Sequence, residues 1–268
     1  MDTILRALTD DECFRVVVFF GDETARRAVL AQRVEGAVAE RLAEVVLATA
    51  LVRETMAPGH RVQGILAYRA AKLSFVGDSH PDGTARGLVQ GAPGPRLPDE
   101  APLFQIMRTL QNGELHQGIV ELSGGGVRDG LMQYMQRSEQ VTTLVDVCPS
   151  GGYLVQLLPG APSEGVRRML EHARALPPIL ELLEAAPTAD ALLERLVGGV
   201  PFVVTGRAPH EFGCRCSEER VLDGLATLPR AEIQAMRDER KTFDVSCDFC
   251  HADYPIGPDA LQRLLDVS

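Results

Sequence analysis

The chain has 268 residues, 45% of them hydrophobic, and a formal charge of −10 from 27 Lys and Arg against 37 Asp and Glu. That apolar fraction supports a real core and excludes global disorder. The acidic balance argues against nucleic acid as the main partner, because phosphate binding needs a positive field, and the apolar run at 45–52 is too short to span a bilayer.

The start, Met1-Asp2-Thr3-Ile4, lacks the basic and apolar regions of a secretory signal. The expectation is a cytoplasmic protein with no membrane partner. The run Val16-Val17-Val18-Phe19-Phe20 reads as a strand. Residues 24–54 lack proline and carry Val34, Val38, Leu42, Val45 and Val46 at helical spacing, as one helix or two broken near Gly36. Residues 47–51 are apolar on nearly all sides and should be buried.

From residue 61 to 120 the pattern changes to short runs, at 62–67, 73–76, 87–90 and 115–120, that look like strands. Asp82-Gly83 and Pro93-Gly94-Pro95 mark turns. Residues 127–140 read as helix and 152–158 as another strand. Strands with separate helices suggest an α+β domain over 1–160. After Pro162 the chain is rich in Leu, Ala, Glu and Arg, cut by Pro177, Pro178 and Pro187. This suggests a helical linker over 161–211, leaving 212–268 as a small zinc-binding domain.

That last domain carries Cys214-Arg215-Cys216 and, thirty residues later, Cys247-Asp248-Phe249-Cys250. Four thiolates saturate a tetrahedral Zn2+ and leave no open position, so the site is structural and the protein is not expected to be an enzyme. In a reducing compartment such a cluster reads as metal-binding or redox-active. A unit of ~55 residues has a marginal core. Zinc binding of about 10–16 kcal/mol compares with domain stabilities of about 5–15 kcal/mol, so metal loss should unfold it. Stripped of metal, the same thiols can pair as two local disulfides, so both a staple and a switch are open. Cys247 and Cys250 can close an ordinary disulfide. In an extended Cys-x-Cys the Cα atoms stand about 6.5–7 Å apart, at the disulfide limit, so Cys214 and Cys216 should bridge second.

Around the cysteines, Leu222, Leu225 and Leu228, then Ile233 and Met236, have helical spacing, with Pro229 at a helix start. Phe243 and Val245 alternate as a strand entering the second cysteine pair, and Tyr254 and Ile256 continue as its return. His251 can compete as a ligand, but four thiolates suffice. Cys13 and Cys148 read as small core residues. Ser123-Gly124-Gly125-Gly126 lacks the Lys-Ser/Thr of a phosphate loop and reads as a turn. His60, His80, His116, His172 and His210 are dispersed and suggest no second metal.

At the run from Phe212 to Arg220, with Cys214, Cys216, Leu228-Pro229, Cys247 and Cys250, the sequence resembles the redox-regulated bacterial holdase chaperone family, the thirty-three-kilodalton heat-shock protein. Similar stretches lie upstream, at Arg86-Gly87, at Tyr134-Met135-Gln136-Arg137-Ser138-Glu139-Gln140 and at 151–159. The resemblance implies a cytosolic, ATP-independent holdase. Oxidants would form Cys214–Cys216 and Cys247–Cys250 disulfides, release one Zn2+, and unfold switch and linker. Apolar surface would then bind unfolding client proteins, with a homodimer as the oxidised form. The alternative is a constitutive protein-binding module with a purely structural zinc. His251 stands where family members often have Gly or Asn.

Overall fold

The chain opens with a hairpin, β1 (Asp2–Thr9) and β2 (Phe14–Phe20), in a computed structural model that describes residues 2–122 and 125–267. The Ser123-Gly124 half of the glycine-rich turn lies outside the described residues. The long helical stretch is two helices, α1 (Asp22–Gln32) and α2 (Gly36–Arg53). Arg33 (φ 54°) and Gly36 (φ 58°) take left-handed backbone between them and turn the chain.

Five strands follow: β3 (Arg61–Tyr68), β4 (Leu73–Ser79), β5 (Thr84–Gln90), β6 (Leu103–Thr109) and β7 (Leu115–Glu121). Then come α3 (Val127–Tyr134), continued by a π turn at Met135–Glu139, and strands β8 (Thr143–Cys148) and β9 (Gly151–Leu157). Helices α4 (Ser163–Ala175), α5 (Ile179–Ala185) and α6 (Ala189–Val197) lead to a last long strand, β10 (Phe202–Phe212). Among the described residues these ten strands form one sheet, ordered β7-β6-β3-β4-β5-β10-β1-β2-β9-β8. The fold is α+β, with this sheet and its helices in one unit, Met1–Gly213, and the remainder in a second, Cys214–Ser268.

The segment 161–211, expected to be a helical linker, is helical only as far as Val197. Phe202-Val203-Val204-Thr205 is a β-branched run with no helical period, and it forms strand instead. β10 pairs antiparallel with β1, from Asp2↔His210 to Thr9↔Phe202, then parallel with β5 through Glu211 and Phe212. It thereby joins two half-sheets. Pro209 is tolerated in this central strand because the pairing with β5 begins only at Glu211, so its missing N–H breaks no ladder bond.

α2 occupies the centre. Its last nine residues, Val45 to Arg53, are all buried, as its uniformly apolar surface requires. Close approach to the sheet is set by a row of cross-strand glycines, Gly64, Gly77 and Gly87. A Cβ on Gly77 would lie 2.7 Å from the Val45 carbonyl oxygen and 3.0 Å from the Val46 Cα, both backbone atoms that cannot swing aside. Ile4, Val17, Phe19 and Leu154 pack toward α2. The alternate residues Leu5, Val16, Val18 and Val155 pack with Ile179, Leu182, Leu192, Leu193 and Leu196 of α5 and α6. Burial on both faces explains the unbroken apolar run of β2. Cys13 and Cys148 are buried in this second cluster, as the sequence suggests.

Polar ties hold the ends. Arg168 of α4 reaches Asp11 of the β1–β2 turn at 2.9 Å, and the His172 ring lies 2.7 Å from the Arg195 carbonyl oxygen. Asp78, fully buried in β4, accepts from Arg61 at 2.6 and 2.9 Å and from Arg86 at 2.9 Å, and lies 3.3 Å from His80. Burial alone would raise its carboxyl, but the bonds from His80 and Arg61 outweigh it and hold Asp78 well below the usual carboxylate range.

Gly77→Ala should destabilise the N-terminal unit by about 3 kcal/mol, read as a lower denaturant midpoint, because the inserted methyl meets backbone. Asp78→Asn should cost about 3–5 kcal/mol at neutral pH by leaving two guanidiniums without their carboxylate. A carboxyl depressed in the fold stabilises fully above its unfolded pKa of about 3.9 and loses that contribution as pH falls toward the folded value. The deficit of the variant should therefore be constant above about pH 4 and shrink in stronger acid.

Candidate metal centre

The second unit is built from helices α7 (Glu218–Leu225) and α8 (Arg230–Asp238), strands β11 (Phe243–Ser246) and β12 (Asp253–Ile256), and helix α9 (Pro258–Val267). The Ser217 hydroxyl caps α7 by accepting from the Arg220 amide at 3.2 Å. Pro229 precedes α8, where its missing N–H is harmless. Phe243 pairs with Ile256 and Val245 with Tyr254. The sequence reading reaches all of these except α9, whose signal is Pro258 at a helix start with Leu261 and Leu265 one turn apart. The core is small: Ile233, Ile256, Ala260, Leu261 and Leu265 are its buried residues.

The turn between β11 and β12 curls back on itself. The Cys247 amide donates to the Ala252 carbonyl at 2.9 Å, and the His251 amide to the Cys247 carbonyl at 2.8 Å. The amides of Cys250 and Phe249 point at the Cys247 sulfur, and that of Ala252 at the Cys250 sulfur. His251 adopts φ 54° to complete the curl, a conformation that disfavours any side chain.

This knuckle meets the first cysteine pair. The Sγ atoms of Cys214, Cys216, Cys247 and Cys250 all lie within 4.8 Å of one another. Cys214 and Cys247 are 3.7 Å apart, and Cys216 and Cys250 are 3.3 Å apart. A tetrahedral zinc with Zn–S bonds of about 2.3 Å needs sulfurs about 3.8 Å from each other, so the donor set fits. Both of these contacts cross from one cysteine pair to the other, so the two pairs face a common point. All four are half-buried and none is in a disulfide. Burial, then the neighbouring thiols, push the Cys250 thiol up, and burial pushes Cys247 up against its two amide donors. A divalent cation reverses that logic by stabilising thiolates directly.

One further residue reaches the sulfurs. The Tyr254 hydroxyl donates to Cys216 Sγ at 3.0 Å. That bond raises the phenol to about 12. Sequence spacing marks Tyr254 only as a strand residue and carries no sign of this contact. His251 is exposed and stands outside the cluster. Among the described residues no helix is long and apolar enough to cross a membrane.

Residues 2–257 match the family model described as Hsp33 protein. The chain is 26% identical over 291 residues to the 33 kDa chaperonin of Streptococcus gordonii, covering 99% of each. It is 27% identical over 290 residues to that of Lacticaseibacillus casei, covering 98% of each. The crystal structure of the 33 kDa chaperonin, a heat shock protein 33 homolog, from Thermotoga maritima matches in fold with a TM-score of 0.85 at 22% identity, covering 99% of this chain and 98% of that one. A family match across nearly the whole length, with the four cysteines inside it, means that this chain belongs to the Hsp33 family.

Proposed function

We propose that the protein is an ATP-independent chaperone, activated when its cysteine centre is oxidised, that holds unfolding client proteins in the cytoplasm. The observation that carries this reading is the convergence of four thiols in a unit with five buried core residues among those described. Cys214, Cys216, Cys247 and Cys250 would hold one Zn2+, which when bound supplies folding free energy of a size comparable to the whole stability of such a unit.

Peroxide removes that support by acting on the sulfurs. Two equivalents take four electrons from the four thiolates and, with four protons, become four waters. Two sulfur–sulfur bonds form, and no thiolate remains to hold a cation. The pairing Cys214–Cys216 and Cys247–Cys250 rests on the resemblance to the family. The unit then has too little core to stay folded. Release of α4, α5 and α6 would uncover the apolar face formed by Leu5, Phe14, Val16 and Val18. Exposed apolar surface of this kind is what captures an unfolding chain, and it also favours a homodimer of the oxidised form.

A second reading, a constitutive binding module with a purely structural zinc, is favoured by one feature. Leu192, Leu193 and Leu196 of α6 are essentially inaccessible, so this segment is firmly docked. Oxidation separates the two readings.

The zinc-loaded protein should contain one zinc and lose it, with four thiols, on treatment with peroxide at heat-shock temperature. Suppression of citrate synthase aggregation should appear only after that loss. Equal suppression by the reduced protein would establish the constitutive module instead. His251→Gly should relieve the left-handed backbone at the knuckle by about 1 kcal/mol. Its zinc-loaded form should melt higher and surrender metal to a chelator more slowly; a lower melting point would show that the His251 side chain is itself needed.

A further inference from the structure

We propose that Tyr254 is a positioning residue that guards Cys216, favouring metal retention and delaying oxidation of the first cysteine pair until the second has reacted. The inference rests on the reading of the centre as an oxidisable zinc site.

The geometry is specific. Tyr254 lies on β12 opposite Val245, and its ring packs against the cluster of Ile233, Ile256 and Leu261. With the ring held, the hydroxyl is delivered to Cys216 Sγ at 3.0 Å, across 38 residues of sequence. The donors to Cys247 and Cys250 are backbone amides of the knuckle, which no side-chain exchange short of proline removes. The donor to Cys216 is a side chain on the return strand of that knuckle. It is therefore tied to the state of the other pair.

A sulfur that accepts an O–H bond has its charge drawn toward the proton. In a four-thiolate site, whose net charge with a divalent ion is −2, this reduces the repulsion the metal must overcome. Partners of this kind commonly carry about 10–100-fold in metal affinity. The same bond lowers the nucleophilicity of the sulfur, and thiolate attack on an oxidant falls with it.

The amide donors act in the same sense on Cys247 and Cys250, so the Tyr254 bond keeps Cys216 from being the more exposed nucleophile. Oxidation begins at the knuckle, where the disulfide closes without a backbone change. A Cys250 or Cys247 thiolate displaces hydroxide from peroxide and becomes a sulfenic acid. Its partner thiolate then displaces the second hydroxide to form the disulfide. Two electrons pass from sulfur to peroxide, and two protons convert the hydroxides to water. Tyr254 exchanges no electrons in these steps. As the β11–β12 hairpin loosens, the hydroxyl leaves Cys216 and the first pair becomes reactive. The side-chain contact thus adds to the geometric reluctance of a Cys-x-Cys disulfide.

The test compares full-length, zinc-loaded wild type with Tyr254→Phe, which keeps the ring, and with Ile256→Val as a packing control. Zinc affinity is read by competition with a chromophoric chelator. Disulfide order is read by timed peroxide exposure, alkylation and peptide mass spectrometry. The expected result is an affinity at least tenfold weaker in Tyr254→Phe, with Cys214–Cys216 forming together with or ahead of Cys247–Cys250. Ile256→Val should melt lower yet keep the wild-type order. An unchanged affinity and order in Tyr254→Phe would overturn the proposal, as would the same reordering in Ile256→Val. Wild-type protein that binds no zinc, or forms no disulfides, would instead overturn the underlying reading of the centre.

Discussion

Four sulfurs within 4.8 Å of one another are a costly arrangement unless something positive sits among them. Each half-buried thiol raises the charging cost of its neighbours, and the surrounding unit has little else to offset that cost. Among the described residues, its buried ones are two isoleucines, two leucines and an alanine, on ~55 residues of chain. On the proposed function, the unit's fold is conditional on its centre. The N-terminal unit differs, having two separate apolar clusters and, among the described residues, no comparable group of metal-ligating side chains. One chain therefore combines a part that should persist under oxidation with a part that should not.

β10 lies where these two behaviours meet along the chain. It completes the N-terminal sheet by pairing with β1, about two hundred residues earlier in sequence, and with β5. The ladder ends at Gly213, whose amide donates to the Ala85 carbonyl at 2.9 Å, and the first metal-centre cysteine is the next residue. α4, α5 and α6 lie immediately upstream of β10. They pack through apolar contacts on one face of β1, β2 and β9, with few polar ties such as Arg168–Asp11. Apolar packing is non-directional. A face that accepts these helices is chemically suited to accept apolar segments of another protein.

Much of this is legible in the sequence. Cysteine spacing marks the centre because tetrahedral thiolate ligation leaves few alternatives. The buried character of α2 is written in a run with no polar face. β10 was harder, because the Leu- and Ala-rich helices before it set the expectation and only the short Phe202-Val203-Val204-Thr205 run opposes it. Strand formation there depends on β1 at the far end of the chain, which no local window senses. The fitted depth of α2 depends on glycines aligned across three strands, and register is not visible in single-strand patterns. Local spacing marks Tyr254 only as a strand residue because its partner, Cys216, is 38 positions away.

His251 and Tyr254 act on the centre in opposite directions, and neither is a ligand in the cluster. His251 holds left-handed backbone at a position suited to glycine, which weakens the knuckle around Cys247 and Cys250. Tyr254 supplies a donor to Cys216 and strengthens the hold on the other pair. A centre made of four identical side chains is thereby made unequal by the residues beside them. The weaker knuckle and the guarded first pair both favour reaction at Cys247 and Cys250. Strain in one turn and a single hydroxyl can therefore set the sequence of events while the four thiols stay fixed. On the proposed function, the residues beside the four thiols would thereby tune the oxidant challenge needed to open the centre.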